Sequence, residues 1–366
     1  MNFIDLAPQY EKIRDNVNKR LQSVMERSQF IMGPEVKELE QKLEDYTNSK
    51  SCICVGNGTD ALQLALMALE LNEGDEVLVP DFSFFASVEV ILLLKLKPVF
   101  VDVDQETCLI DLNNLSSKIT ERTKAVIAVS LYGQCPDFSK MREVIEQKTS
   151  NRIVLIEDAA QSFGSLQRDK KSCALADLAC TSFFPTKPLG CFGDGGAIFT
   201  NHDELALKIK ALRVHGQTKR YEHSFVGVNS RLDTMQAAVL LEKLPLVDQE
   251  RELRLKASER YFDRLSKRFQ CLKIESFNTP NYAQFPIFID RRDELKEFLA
   301  NRDIPTTIHY PIPMSKQPIF ENELFDEGDC PRSVKVASSV LCLPFYAYIT
   351  EDIIDHVCDH VLEFDR

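Results

Sequence analysis

The chain lacks a leader-like N-terminus, an apolar run of membrane-spanning length, any cluster of basic residues and any metal-type CxxC spacing. Each absence removes a class of function. The opening MNFIDLAPQYEKIRD has none of the charged, apolar and cleavage-site regions of a secretory signal, and the longest apolar run, Val88 to Leu96, is broken by Glu89 and Lys95. A cytoplasmic protein with no membrane partner is expected. Lys and Arg number 44 against 56 Asp and Glu, dispersed along the chain, for a net charge of −12. That balance argues against a nucleic-acid partner and for a small-molecule substrate. The eleven cysteines are an odd count, and Cys52, Cys54, Cys180 and Cys342 sit in strand-like apolar runs. They read as small buried hydrophobes in a reducing compartment. His356 and His360 have a metal-compatible spacing of four, but Asp355 and Asp359 beside them mark a solvated face, and no metal is expected. No internal repeat or low-complexity segment is present.

What is present is enough apolar chain, 366 residues at 44% hydrophobic, for a large core and a smaller one. A large domain is expected over 1–245 and a small α+β domain over 246–366, with the first residues a candidate to pack on the small one. Helical periodicity at 9–28 and 34–47 predicts two helices packed on the outside. Strands then alternate with helices: strands at Cys52–Val55, Glu76–Val79, Pro98–Val101, Ala125–Val129 and Ile153–Ile156, helices at Ala61–Leu69 and near 85–94, 111–119 and 136–148. Runs such as VLVP and IVLI in that alternation predict an α/β fold with a mainly parallel sheet covered on both faces. Beyond it come helices at Asp203–Leu212, Met235–Leu244 and about 248–269, the last a bridge between domains. Short strands (Gln284–Ile289, Thr306–Ile308, Val340–Leu343) and two helices (Asp293–Asn301, Glu351–Leu362) complete the small lobe.

Ligands bind such sheets at the carboxyl ends of the strands. Three clusters fall there: Pro80-Asp81-Phe82-Ser83-Phe84, Tyr132-Gly133-Gln134 and Glu157-Asp158-Ala159-Ala160-Gln161. The most informative stretch is TSFFPTKPLGCFGDGGAIF, Thr181 to Phe199. Lys187 lies there between an aromatic and proline wall (Phe183, Phe184, Pro185, Pro188) and a glycine cluster (Gly190, Gly193, Gly195, Gly196). Apolar surroundings disfavour an ammonium, which suits an imine-forming, nucleophilic amine. A surface lysine in a turn is the bland alternative. A flat aldehyde cofactor on such a lysine would need an acid at its pyridine nitrogen, a phosphate anchor and a stacking ring. Asp158 at a strand end, Gly58, Thr59 and Ser182, and Phe84 offer these; Asp158 could equally be a helix cap. The turn Gly56-Asn57-Gly58-Thr59-Asp60-Ala61 opens a helix and suits a phosphate. It also fits the dinucleotide fingerprint GxGxxA, with Asp81 about twenty residues on, which is the NAD-dependent dehydrogenase reading. His309 and Tyr310, in HYPIP, read as a rigid binding loop. The polar loop RVHGQTKRYEHSFVGVNSRLDT reads as functional or mobile.

Together, NGTDAL at 57–62, FSFFAS at 82–87, SLYGQ at 130–134, EDAAQS at 157–162, SFFPTKPLGCFGDGGAIFTN at 182–201, VHGQ at 214–217, VGVNSRLDTMQAAVL at 226–240 and HYPIP at 309–313 resemble the DegT/StrS sugar aminotransferases over nearly the whole chain. The resemblance implies a fold-type I, pyridoxal 5′-phosphate-dependent transferase with a seven-stranded sheet. It places the cofactor-bound lysine at Lys187, the pyridine-nitrogen partner at Asp158, ring and phenolic-oxygen contacts at Phe84 and Gln161, and phosphate contacts at Gly58, Thr59 and Ser182. Asn229 would reach the phosphate of a neighbouring subunit, making a homodimer with shared sites. Arg231, His309 and Tyr310 would bind the anionic groups of the substrates, with Arg213, Lys316 and a protonated His309 as further cationic candidates. A branch of the family replaces the lysine by histidine and dehydrates; Lys187 favours transamination. The implied reaction takes L-glutamate as donor and aminates carbon 3 of a UDP-linked 2-acetamido-3-oxo-hexuronate for bacterial surface polysaccharide. UDP-3-oxo-N-acetylglucosamine and dTDP-linked keto sugars are alternatives, and a catalytically silent regulator of the same fold is the non-enzyme reading.

Overall fold

The computed structural model describes residues 1–321 and 330–364. Its centre is a seven-stranded sheet built from β1 (Ser51–Val55), β2 (Glu76–Pro80), β3 (Lys97–Val101), β4 (Thr123–Val129), β5 (Val154–Asp158), β6 (Leu178–Ser182) and β7 (Gly196–Thr200). The spatial order is β1-β7-β6-β5-β4-β2-β3, and β7 alone runs against its neighbours. Strand alternation divides the side chains between two covered faces. In β1, Ile53 and Val55 join one core with helices α3 (Gly58–Ala68), α4 (Ala86–Leu93) and α7 (Asp203–Leu212). Cys52 and Cys54 join the other, with α2 (Pro34–Thr47) and α8 (Thr234–Lys243). Further along that face α5 (Leu112–Lys118) and α6 (Phe138–Lys148) close over Leu78, Val101, Val126 and Leu155. Both faces are dry, which is why the strands read as continuous apolar runs.

The two leading helices are Ala7–Arg27 (α1) and α2. Val36, Leu39 and Leu43 of α2, three and four apart, are fully buried on the sheet, while α1 lies outside α8 through Ile13 and Val17. Helix α9 (Val247–Leu265) runs into a second core, where Tyr261 and Leu265 pack with a small antiparallel sheet, β8 (Gln270–Cys271), β9 (Phe285–Phe288) and β10 (Val340–Leu343). Helices α10 (Arg292–Ala300) and α12 (Glu351–Phe364) cover it, and α11 (Pro331–Ser339) leads into β10. The first residues do lie against this part: the Phe345 amide donates to the Phe3 carbonyl at 3.1 Å.

Several elements differ from expectation: helix α11 and strand β8 of the small lobe were not anticipated. Thr306–Ile308 is not a strand but a single bridge, Thr307 to Cys342. Strand β6 was not marked by pattern, because Ala179-Cys180-Thr181 is small and mixed, and its pairing on both sides makes it a strand. The four cysteines expected in strands are buried, and all eleven are free thiols. Among the described residues no helix is long and apolar enough to cross a membrane.

Arg213, just past α7, is nearly fully buried. Its Nη1 donates to Glu40 Oε1 at 2.5 Å and to the Cys54 carbonyl at 2.7 Å, while Glu40 also accepts the Cys54 amide at 3.0 Å. It therefore staples α2 to the edge strand β1. Glu40→Ala should strand the guanidinium and destabilise the protein by about 3 kcal/mol, read as a lowered urea midpoint; an unchanged midpoint would show that the pair carries no net stability.

Candidate active site

The carboxyl ends of β2, β4, β5 and β6 open on one edge, and the expected clusters meet there. Lys187 sits in a tight turn after β6: its amide donates to the Phe184 carbonyl at 2.9 Å, and the Phe183 amide bonds Gly195 O at 2.7 Å. Glycine is required at 190, since a Cβ there would lie 2.4 Å from the Pro185 carbonyl oxygen. The turn holds the amine in a desolvated place facing Asp158. Burial pushes the Lys187 pKa below that of an ordinary lysine, and the Asp158 charge only partly opposes this.

Asp158 ends β5 and is buried. Its Oδ2 accepts the Ser87 hydroxyl at 2.8 Å and its Oδ1 the Ala160 amide at 3.2 Å. Burial raises its pKa, against the Ser87 and Ala160 hydrogen bonds and the Lys187 charge. It caps no helix, so the bland alternative fails: Ala160 belongs to a turn. Ser87, the last residue of FSFFAS, was not singled out from sequence, and only its place in that motif could have flagged it.

The anion end is built by α3. Asn57 caps it, its side-chain oxygen accepting the Asp60 amide at 2.8 Å, which leaves the first-turn amides at Gly58 and Thr59 pointing out of the helix. A Cβ on Gly58 would stand 2.8 Å from the Ser182 Cβ, so glycine lets the helix start and the end of β6 close on each other. On the far side the phenol of Tyr132 donates to the His309 carbonyl, Gln161 Oε1 accepts the Tyr132 amide at 2.7 Å, and Gln161 Nε2 donates to the Tyr310 hydroxyl at 3.2 Å. Phe84 leans on Tyr310, ring centroids 5.8 Å apart, and is itself 58% exposed. Burial and the Lys187 charge push the His309 pKa down to about 4, so His309 is neutral near pH 7, which removes the protonated His309 from the cationic candidates. Its Nδ1 is buried with no partner among the described residues.

Not every candidate joins this cluster. Asn229 is exposed on the loop before α8, in a bridge to Val214, and Ser230 Oγ accepts the Gly56 amide at 3.0 Å. No hydrogen bond or ion pair among the described residues links Arg231 to Lys187, His309 or Tyr310. Arg213 is committed to Glu40 and Cys54, which removes it as a substrate contact. Lys316 lies beside the buried Asp81. Asp355 and Asp359 are held by Arg260 and Arg264, and His360 Nδ1 lies 2.8 Å from the His356 carbonyl. No group of three or more potential metal ligands occurs among the described residues.

The dinucleotide reading of Gly56–Ala61 is overturned by topology. Strand β1 is the edge of the sheet and pairs only antiparallel, with β7, so the turn does not sit in the parallel βαβ unit that a dinucleotide needs. The residues present fit pyridoxal phosphate instead: an amine whose pKa burial lowers, a buried carboxylate with no cation hydrogen-bonded to it among the described residues, a helix start closed around a glycine, and an exposed ring.

The pattern of the DegT/DnrJ/EryC1/StrS aminotransferase family matches residues 11–362. A Pseudomonas aeruginosa UDP-2-acetamido-2-deoxy-3-oxo-D-glucuronate aminotransferase is 46% identical over 98% of both chains. A Geobacillus stearothermophilus pleiotropic regulatory protein is 39% identical over all of this chain and 98% of its own. Among solved structures, a DegT/DnrJ/EryC1/StrS aminotransferase from Brucella abortus superposes with a TM-score of 0.94 at 36% identity, covering 100% of this chain and 99% of that one. A Bacillus subtilis structure with bound cofactor PMP gives 0.89 at 29% identity, covering 96% and 82%. The chain thus belongs to the DegT/DnrJ/EryC1/StrS aminotransferase family, and it is a pyridoxal-phosphate-dependent transaminase.

Proposed function

We propose that the protein transfers an amino group from L-glutamate to carbon 3 of a UDP-linked 2-acetamido-2-deoxy-3-oxo-glucuronate, supplying an amino sugar for bacterial surface polysaccharide. The observation that carries this reading is the near-full-length similarity to the P. aeruginosa glucuronate aminotransferase, in a chain that keeps Lys187 facing Asp158. That pair also favours an enzyme over a silent regulator.

Bound pyridoxal phosphate supplies an aldehyde that links to amines and a ring that withdraws electrons. The chain's own residues supply the rest. Lys187, its pKa lowered by burial, would act as the base that takes a proton from the substrate carbon and returns it to the cofactor carbon on the other side of the nitrogen they share. Asp158 holds its carboxylate where a protonated ring nitrogen would meet it, with Ser87 and Ala160 fixing its direction. The amides of Gly58 and Thr59 and the Ser182 hydroxyl would hold the phosphate. Phe84 would cover the ring, and Gln161, oriented by the Tyr132 amide, would meet its phenolic oxygen. Neutral His309 offers a hydrogen bond rather than a charge, so Arg231 carries the cationic part of substrate binding. Residues 1–245 would form the cofactor-holding domain, with the smaller domain beginning at 246.

Arg231 and Asn229 do this work across a homodimer. Phe30, Ile31, Met32, Phe192 and Val226 are exposed apolar residues, and the segment at 30–33 is bonded to Thr234, three residues past Arg231. An apolar face beside polar site residues suits a second copy of the chain.

Asp158→Asn should keep the fold and lower kcat about a hundredfold, because an amide cannot hold a ring proton in place; wild-type kcat in the variant would remove Asp158 from the chemistry. Mixing Lys187→Ala with Asn229→Ala chains checks the shared site. One site in each mixed dimer is then free of both lesions, so activity returns in part, whereas verified heterodimers without activity would mean self-contained subunits.

The sugar is tested by kcat/KM for UDP-3-keto sugars differing only at carbon 6. A charge-assisted contact to a carboxylate is worth roughly 1.5–3 kcal/mol, about ten- to a hundredfold, and Arg231→Met should shrink that preference. Equal values for carboxylate and hydroxymethyl would refute the uronate and favour UDP-3-oxo-N-acetylglucosamine; a preference for dTDP-linked sugars would refute the UDP assignment.

A further inference from the structure

Asp81, the acid that the dinucleotide reading would have used, is fully buried just beyond β2. It grips the segment that carries His309 and Tyr310. Its carbonyl accepts the Met314 amide at 2.7 Å, and its Oδ1 accepts the Ser315 amide at 2.7 Å. The second oxygen, Oδ2, is buried without a partner among the described residues. One strand over, Asp102 does the same for the chain at 332–333, accepting the Arg332 amide at 3.1 Å and the Ser333 amide and hydroxyl at 2.8 Å. Two buried carboxylates at neighbouring strand ends thus pin both flanks of the stretch between Lys316 and Cys330 to the sheet.

We propose that Asp81 is a positioning residue for the sugar: by holding Met314 and Ser315 it sets where His309 and Tyr310 stand against the strand ends. This rests on the reading that those two residues contact the nucleotide sugar. The neighbourhood adds a pH dependence. Burial raises the Asp81 pKa to about 7, the Ser315 amide opposes that, the like charge of Asp102 adds to it and Lys316 opposes it. The ionised carboxylate is the stronger acceptor for the Ser315 amide, so the anchor weakens as pH falls through about 7.

The test measures the two half-reactions separately, by the cofactor's absorbance change, with L-glutamate and with the UDP-linked 3-amino uronate as amino donors. Asp81→Ala should raise KM for the amino sugar about tenfold and leave kcat/KM for glutamate within about twofold, the loss of one charge-assisted hydrogen bond. Asp81→Asn keeps an acceptor for the Ser315 amide and removes the burden of ionising a buried carboxyl, so it should fold at least as well as wild type at pH 8 and restore most of the KM. Wild-type KM for the sugar should rise below pH 7, and the Asn variant should not share that rise. Equal damage to both half-reactions in Asp81→Ala, or the same pH profile in wild type and Asp81→Asn, would overturn the proposal. A His309→Ala variant separates the two ideas. If it raises the sugar KM while Asp81→Ala does not, the positioning role fails and the sugar contact stands; if His309→Ala leaves the sugar KM unchanged, both fall.

Discussion

The site depends on keeping an amine and a carboxyl out of water without letting them fully satisfy each other. In bulk solvent Lys187 and Asp158 would both be charged and heavily hydrated. At the strand ends burial moves each toward its neutral form, and their mutual attraction offsets only part of that. The protein supplies Asp158 with two modest donors, the Ser87 hydroxyl and the Ala160 amide, and stops there. A second pair of strong donors would have made the carboxylate self-sufficient and left nothing for a ring nitrogen. Nearby Glu157 shows the contrast: its Oε1 accepts the Ser130 and Ser172 hydroxyls and its Oε2 the Cys173 amide, which ties it into the fold as a structural group.

That arrangement is only possible because the backbone closes tightly around the amine. Reversal of β7 between β1 and β6 brings the glycines after Lys187 back across the start of α3, where a Cβ on Gly196 would lie 2.5 Å from the Asn57 carbonyl carbon. Gly58 meets Ser182 from the other side. Helix start, lysine turn and returning strand therefore share one small volume, and side chains are excluded from the places where a flat phosphorylated ring has to approach peptide groups. The same closure explains why the sheet tolerates an antiparallel strand in an otherwise parallel set: β7 is the return path of the lysine turn.

Much of this was readable from the chain. Strand and helix periods place β1 to β5 of the sheet to within about two residues, because strands buried on both faces are unbroken apolar runs and their helices repeat at three and four. Lys187 and Asp158 stand out because their neighbours are chemically unusual for charged residues. What pattern could not give are contacts made across large sequence distances by ordinary residue types. Ser87 bonds to Asp158, and Tyr132 holds both His309 and Gln161, yet serine and tyrosine occur everywhere and carry no period. Arg213 fails in the opposite direction. An arginine in a polar loop looks available, and only its burial against Glu40 and the Cys54 carbonyl reveals that it is spent on structure. His309 likewise keeps its place but drops out as a possible cation, since sequence gives proximity to prolines and not the depth of desolvation.

Among the described residues the Arg231 guanidinium has no partner, and this follows from the same economy. A cation placed among Lys187, His309 and Tyr310 in its own subunit would depress the amine and histidine further and compete for Asp158. On the loop after Asn229 it lies instead next to the exposed apolar segment Phe30-Ile31-Met32, which is joined to the Asp233–Thr234 stretch by a bridge and two hydrogen bonds. In the proposed dimer that apolar face would dock and bring the cation to the neighbouring site only on assembly. The lysine turn of each subunit then keeps its low-charge surroundings while the anionic substrate still finds a counter-charge.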